Sequence, residues 1–170
     1  MKKVNNFLKM KRAHARARQL CARHVTFAVH RGELPDDVHG ALEDFATTAC
    51  SSRLLVPIGT CHGDPCVTED LTLLVMRAPE RVVGTLAYSR GSDAVHIEYM
   101  CTSPRCGHGR RLVSAFVAWL EGASHEIPAD APAPCTHVTV EPLPDAEGFY
   151  EKVGFVADGV WGMRYELGRG

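Results

Sequence analysis

The chain has 170 residues, of which 45% are hydrophobic and 23% are charged, so it is long enough to bury the core of one domain. No apolar run approaches the roughly 20 residues that cross a bilayer, and no apolar segment typical of a signal peptide follows the basic N-terminus. We therefore expect a soluble, cytoplasmic protein with no membrane association. The net charge of −1 hides an asymmetry, because nine of the 19 Lys and Arg residues precede Glu33, the first acidic residue.

The basic N-terminal segment has apolar residues every three or four positions, which predicts an amphipathic helix over Val4–His24. Its basic residues would then form a solvated face, or they would contact nucleic acid or an acidic partner. We favour the solvated face and rank nucleic-acid binding last.

The seven cysteines are odd in number and follow no regular framework. Free thiols in a reducing compartment are therefore expected, at positions that include Cys21, Cys50, Cys101, Cys106 and Cys135. The motif from Cys61 to Cys66 contains a histidine and would suit zinc, but a structural site needs four ligands and no second close pair follows. We therefore expect no metal.

The first half of the chain is predicted to contain a helix, a loop and a meander. Pro35 and the acids after it indicate a helix from Leu34 to about Cys50. Gly59–Glu69 is rich in Gly, Pro and Asp and is interpreted as a loop. Three apolar runs separated by short turns then predict an antiparallel meander. These strands are Leu71–Met76, Val82–Tyr88 and Ala94–Thr102.

The second half begins with a helix from about Arg110 to Glu121, with Gly122 as its C-terminal cap. Further predicted elements are a strand at Thr136–Glu141, a short helix at Ala146–Lys152, and strands at Phe155–Ala157 and Met163–Leu167. No internal repeat is visible, so we expect residues 1–170 to form a single domain.

The turn Gly107–Gly109 lies between the third strand of the meander and the helix that follows it. Free backbone N–H groups and the positive end of the helix dipole make such a turn an anion site. Arg105, Arg110 and Arg111 flank it. A dinucleotide fingerprint is a poor fit because the preceding strands form a meander, and the P-loop ending of Lys followed by Ser or Thr is lacking.

His96 and Glu98 stand on the strand that leads into this turn. Side chains alternate along a strand, so His96, Glu98, Met100 and Thr102 are predicted to share one face. Burying such polar groups without partners is costly. One interpretation is structural: the two residues form an ion pair, or the histidine is hydrogen-bonded. The other is functional: one of them is a general base, and burial raises its pKa toward neutrality.

The segment Gly148–Phe155 is interpreted as a short core helix followed by a strand. Phe149, Val153 and Phe155 have the pattern of core residues. Tyr150 carries a hydroxyl that could instead donate a proton to a leaving group.

Together, these motifs resemble a known family. The run IEYMCTSP before GHGRRLV, with FYEKVGF downstream, resembles the GNAT superfamily of acyl-CoA-dependent N-acetyltransferases. The match covers Leu71–Leu167, and the order of elements is similar. The resemblance implies an α/β (α+β) fold with a mixed, mostly antiparallel sheet, splayed fourth and fifth strands and about four helices.

The resemblance also implies roles for individual residues. The backbone at the end of the third meander strand would hold the pantetheine arm of acetyl-CoA, the glycine turn its pyrophosphate, and the FY helix would pack against the arm. The implied cofactor-binding residues are Met100, Cys101, Thr102, Arg105, Cys106, Gly107, His108, Gly109, Arg110 and Phe149. Glu98 would be the general base, with His96 second and Glu141 a distant third, and Tyr150 would be the general acid.

The sequence differs from the family pattern in two places. Only Arg105 and Cys106 separate Pro104 from Gly107, so the turn is about two residues short. The asparagine often found before the FY helix is absent.

The resulting prediction is an N-acetyltransferase that moves an acetyl group from acetyl-CoA to a primary amine. The acceptor would be a small polyamine-like amine, or the lysine or N-terminal amine of a peptide, because the chain after residue 32 is acidic. The alternative is a catalytically weak or inactive module that binds CoA or a protein. A homodimer is a further expectation.

Overall fold

The computed structural model of the protein describes residues 25–49, 58–61, 64–67, 70–103, 107–128 and 134–168. The helix predicted at Val4–His24 therefore lies outside the described residues. In chain order the elements are β1 (Thr26–His30), α1 (Asp36–Ala49), β2 (Ile58–Cys61), β3 (Asp64–Val67), β4 (Leu71–Ala78), β5 (Arg81–Arg90), β6 (Ala94–Thr102), α2 (His108–Leu120), β7 (His137–Val140), α3 (Glu147–Lys152), β8 (Val156–Asp158) and β9 (Gly162–Glu166). None of the described helices is long and apolar enough to span a bilayer.

Seven strands form one sheet in the order β1-β4-β5-β6-β7-β9-β8. All neighbouring pairs are antiparallel except β6 and β7, which are parallel. The predicted meander is confirmed as β4, β5 and β6. The sheet is therefore mixed and mostly antiparallel, as the sequence predicted, with three helices among the described residues.

Helix α1 covers one face of the sheet. It starts with two acidic residues in its first turn, where the helix dipole favours negative charge. Its apolar stripe includes Leu42 and Phe45, which are buried with Leu73, Val75 and Ala87 of the sheet. This packing fixes α1 against β4 and β5.

Helix α2 covers the opposite face. Leu112 and Phe116 are fully buried there with Leu86 and Ile97 of the sheet. The Phe116 ring lies 5.0 Å from the ring of Tyr88 on β5, centroid to centroid. The helix ends where Gly122 adopts a φ of 71° and donates a hydrogen bond to the Trp119 carbonyl, as the predicted cap requires.

Strands β6 and β7 separate at the middle of β6. Their pairing runs from Ala94 with His137 to Ile97 with Val140 and then stops, although β6 continues to Thr102. The predicted splay is therefore confirmed. Among the described residues, β7 pairs with β6 only as far as Ile97.

A β-bulge lies at the point where the two strands separate. Ala87 of β5 pairs with Tyr99 and Tyr88 pairs with Ile97, so Glu98 is the inserted residue. The insertion changes the alternation of side chains. Met100 packs with Ile97 on the α2 face, whereas Tyr99 packs on the α1 face. The prediction that His96 and Met100 share a face is wrong for this reason.

Two predictions of local structure need correction. The loop predicted at Gly59–Glu69 contains most of β2 and β3, which pair as an antiparallel hairpin. Its turn-rich composition was misleading because Pro65 is tolerated in a two-stranded hairpin that has no central strand. Strand β1 was not predicted, and it pairs with β4 at the edge of the sheet.

The cysteines also differ from the prediction. Cys101 is disulfide-bonded, so the free thiol predicted there is wrong, and its partner lies outside the described side chains. Pairing depends on proximity in the fold, which a count of cysteines does not reveal. Cys135 is free, as predicted, and burial raises the pKa of its thiol.

Candidate active site

A cavity of about 620 Å³ lies in the opening between β6 and β7. Its walls come from the second half of β6, from the segment that follows β7, and from α3. The lining residues are Ala49, Ile97, Glu98, Tyr99, Met100, Cys101, Val140, Glu141, Pro142, Leu143, Asp145, Ala146 and Tyr150. The splay of the two strands therefore creates a cleft beside β6, the strand that contains the candidate bases His96 and Glu98.

Glu98 lies in the cavity wall, but it is exposed rather than buried as predicted. The bulge explains the difference, because the inserted residue is not held in the alternation of the strand. The Ser89 hydroxyl on β5 donates a 2.7 Å hydrogen bond to Oε1 of Glu98. The carboxylate is thus oriented, and it is reachable from the cavity.

His96 does not belong to the cavity lining. Its Nδ1 lies 2.8 Å from the Thr139 hydroxyl on the neighbouring strand β7. Of the interpretations left open for this residue, the contact fits a hydrogen-bonded structural histidine.

Tyr150 reaches the cavity from α3 and is only 5% exposed. Its ring packs edge to face between Phe149 and Phe155, at centroid distances of 5.1 and 5.3 Å. Burial raises the pKa of the Tyr150 hydroxyl to about 12, so the group is protonated throughout the neutral range. The hydroxyl therefore carries its proton at neutral pH, and the surrounding rings hold the side chain in place.

The charged groups in the lining are all acidic. Glu98, Glu141 and Asp145 contribute carboxylates, and the described lining contains no Lys, Arg or His. Since a group of like charges attracts the opposite charge into a concave site, the cavity favours a cation over an anion. Glu141, the third candidate base predicted from the sequence, lines the same cavity as Glu98.

The predicted cofactor positions divide into two groups. Met100 and Cys101 line the cavity. Thr102 and Phe149 lie just beyond it, where α2 begins. A Cβ on Gly109 would stand 3.2 Å from the Phe149 ring and 3.5 Å from the Thr102 hydroxyl. Gly109 thus lets the start of α2, the end of β6 and α3 approach one another.

The turn before α2 has the geometry of a helix N-terminus. Gly107 is the N-cap with a φ of 70°, and no acid lies in the first turn. The His108 side chain is buried. Arg110 is exposed, whereas Arg111 forms a 3.1 Å ion pair with Glu126. Residues 104–106, including Arg105 and Cys106, lie outside the described residues.

Sequence reasoning missed several lining residues. Ala49 at the end of α1 and Tyr99 on β6 both reach the cavity, as do Leu143 and Asp145 in the segment before α3. Leu143 and Asp145 could have been identified only from their position between a strand and the FY helix, in a stretch interrupted by prolines. Nothing in the sequence indicates that Ala49 lies there.

The sequence matches no protein-family model and has no significant similarity to a curated protein. The fold does match solved structures. Gcn5 of Tetrahymena superposes with a TM-score of 0.58 at 14% identity, over 84% of this chain and 96% of that one. For the ribosomal-protein-S18-alanine N-acetyltransferase of Escherichia coli the TM-score is 0.57 at 13% identity, over 84% and 94%. For Escherichia coli ElaA the TM-score is 0.53 at 19% identity, over 84% of this chain and 99% of that one.

The chain therefore has the fold of the GNAT acetyltransferases, which the sequence resemblance predicted. At these identities the likeness establishes the architecture, and the chemistry has to be argued from the cavity itself.

Proposed function

We propose that this protein is an N-acetyltransferase that transfers the acetyl group of acetyl-CoA to a primary amine. The observation that carries the proposal is the cavity between β6 and β7, where the accessible carboxylate of Glu98 and the buried hydroxyl of Tyr150 line the same space. A proton acceptor and a proton donor in one cleft are the two groups that amine acylation requires.

The chain offers a place for the cofactor. Strand β6 continues to Thr102 beyond its last pair with β7, and an extended chain of amides could lie along this part of its edge. The α2 N-terminus, with no acid in its first turn and Arg110 exposed beside it, suits a pyrophosphate. Acetyl-CoA, when bound, supplies an acetyl group activated as a thioester.

Glu98 would take up the proton that the attacking ammonium must lose before its nitrogen can bond to carbon. Ser89 would hold the carboxylate of Glu98 in position through its 2.7 Å hydrogen bond. Tyr150 would donate its hydroxyl proton to the departing sulfur, and its raised pKa keeps that proton available at neutral pH. The N–C bond forms as the C–S bond breaks, and the products are an amide and a thiol.

The acidic lining favours an acceptor with positive charge. Glu141 and Asp145 add to the charge of Glu98 without a basic side chain in the described lining to offset them. The named function of one structure with this fold, acetylation of an alanine of a ribosomal protein, is compatible with an amine acceptor.

The test is a thiol-release assay with acetyl-CoA over a panel of amines and peptides. The proposal expects acetylation of at least one cationic amine, and loss of that activity in both Glu98→Gln and Tyr150→Phe. Thiol release that no amine accelerates would contradict it.

A second candidate is a module that binds CoA without transferring acetyl groups. It is favoured by the short turn between Pro104 and Gly107 and by the engagement of Arg111 with Glu126, since both reduce the contacts available to a pyrophosphate. Calorimetric binding of CoA, with no acetylation in the amine panel, would support this candidate.

A further inference from the structure

Cys101 stands in the wall of the cavity and is disulfide-bonded. Its Sγ lies 3.7 Å from the carbonyl oxygen of Ala49, the last residue of α1, which lines the cavity as well. The cavity wall therefore contains a reducible covalent bond at the point where the end of α1 meets the splayed half of β6.

The contact with Ala49 indicates which cysteine is bonded to Cys101. Cys50 follows Ala49 directly in the sequence. Two cysteines can form a disulfide when their Cα atoms lie within about 7 Å of each other. Because consecutive Cα atoms are about 3.8 Å apart, a sulfur beside the Ala49 carbonyl is within reach of the next residue. Cys50 is therefore the expected partner.

The cavity also gives a soluble reductant access to this bond. Cys101 is only partly buried, and it borders a space of about 620 Å³. A disulfide is reduced when a thiolate attacks one of its sulfurs, so the rate of reduction depends on access to that sulfur. The position of Cys101 allows this attack while the protein remains folded.

The lining of the cavity comes from both faces of the sheet. Ala49, Tyr99 and Cys101 pack with the residues on the α1 face, whereas Met100 and Tyr150 pack with those on the α2 face. The contacts proposed for acetyl-CoA include the N-terminus of α2 and Tyr150, which belong to the α2 face. The α1 face is then left for the acceptor amine, and Ala49 and Cys101 shape that side.

We propose that the disulfide of Cys101 is a redox switch that sets the affinity of the cavity for its acceptor amine. This inference rests on the proposed function and adds a control to the same site. In the oxidised state the bond holds the end of α1 against β6, so the amine side of the cavity is formed before the amine arrives. In the reduced state only noncovalent contacts hold it, and binding has to order this wall again.

The switch needs a dithiol as reductant and a disulfide as oxidant. Two electrons and two protons pass from the dithiol to the bond, which becomes two protein thiols, while the dithiol closes to a cyclic disulfide. Oxidised glutathione reverses the step: the protein disulfide forms again, and two molecules of glutathione leave.

The test compares the full chain after treatment with oxidised glutathione and after treatment with dithiothreitol, each removed before the assay. The amide product is measured by mass spectrometry, since a thiol-release assay would also detect protein thiols. Reduction is expected to raise the KM for the amine about tenfold and to leave the KM for acetyl-CoA unchanged. Peptide mapping of the oxidised protein is expected to find Cys101 joined to Cys50.

Cys101→Ser and Cys50→Ser should each give the amine KM of the reduced protein after both treatments. Cys50→Ser is the sharper variant, because it keeps the Cys101 side chain in the wall. The matched control is Cys135→Ser, which removes a free thiol outside the cavity lining and should keep the full response. The same amine KM in both states of the wild type, or a response that survives in Cys101→Ser, would overturn the proposal. A response that survives in Cys50→Ser alone would overturn the assigned partner.

Amide hydrogen exchange separates this inference from the proposed function. Reduction should speed exchange about tenfold in the last turn of α1, at Ala46–Ala49, and leave α2 unchanged. Faster exchange there, with no acetylation of any amine in either state, would reject the enzyme and keep the redox-dependent wall. Acetylation with the same exchange and the same amine KM in both states would reject the switch and keep the enzyme.

Discussion

The Ser89 hydroxyl on β5 donates a hydrogen bond of 2.7 Å to the carboxylate of Glu98, the residue that the bulge inserts into β6. The bond joins a regular strand position to an irregular one. An exposed carboxylate on a bulge would otherwise sample several rotamers, so the Ser89 contact is what gives Glu98 a defined direction at the cavity wall.

Removing this contact should slow the proposed reaction without abolishing it. Ser89→Ala is expected to lower kcat severalfold, because Glu98 remains but is less well oriented. Ser89→Thr keeps the hydroxyl and should stay near the wild-type rate. Steady-state kinetics with a saturating amine would measure both, and an unchanged kcat in Ser89→Ala would show that the hydrogen bond has no part in catalysis.

The two residues proposed as bases should behave differently. Glu98→Gln should lower kcat by roughly 10²- to 10⁴-fold, the usual contribution of a general base. His96→Gln should remain close to wild type, because His96 contacts Thr139 and lies outside the cavity lining. Thermal melts would confirm that both variants fold. A larger loss in His96→Gln than in Glu98→Gln would transfer the role of base to His96.

Tyr150 should be needed for turnover and should make the fold sensitive to alkali. Tyr150→Phe is expected to lower kcat roughly 10²-fold if the hydroxyl protonates the leaving group. The pKa of this hydroxyl is about 12 in the folded protein against an ordinary value of 10.0, so the unfolded chain loses the proton first as the pH rises. Stability from this group is complete below about pH 10 and is lost between about pH 10 and 12, by on the order of 3 kcal/mol.

Urea denaturation at about pH 8 and about pH 11, on either side of the ordinary tyrosine pKa, would measure that loss. The wild type should lose more stability between the two values than Tyr150→Phe, in which the titrating group is absent. Equal losses in the two proteins would show that the Tyr150 hydroxyl is less buried than its 5% exposure indicates.

Two glycines provide a matched pair for core packing. A Cβ on Gly84 would lie 2.9 Å from the methyl of Met76, 3.1 Å from Thr102 and 3.3 Å from Leu112. Gly84→Ala should therefore destabilise the fold by about 1–3 kcal/mol, the range for overpacking. Gly40 lies inside α1 with nothing within 4 Å, so Gly40→Ala should stabilise it by about 0.5–1 kcal/mol. Chemical denaturation would test both signs, and a stabilised Gly84→Ala would mean that Met76 repacks freely.

The sequence predicted the regular parts of the fold because their residues carry a period. β4 and β5 are continuous apolar runs and α2 has a stripe that includes Leu112 and Phe116, so their existence could be read directly. The pairing of β2 with β3 could not be read, because backbone hydrogen bonds leave no mark in a stretch with turn-like composition. Strand β1 is short and depends on β4 for its stability.

The sequence predicted which residues belong to the candidate site better than it predicted how they are arranged. Glu98 and Tyr150 were expected together, and both line the cavity. His96 was misplaced because a bulge of one residue cannot be seen in a run that keeps strand composition throughout.

The bulge at Glu98 also divides β6 into two halves. The residues that face α2 have odd numbers in the first half and even numbers in the second. Before it, the odd-numbered Val95 and Ile97 face α2, and after it the even-numbered Met100 faces α2. Losing or gaining a single residue within residues 99–102 would thus exchange every side chain on that half between the two layers, whereas a change of two residues would shift the half along its axis and preserve its orientation. In chimaeras and loop grafts made at this strand, the number of residues in the second half could therefore change only by an even number.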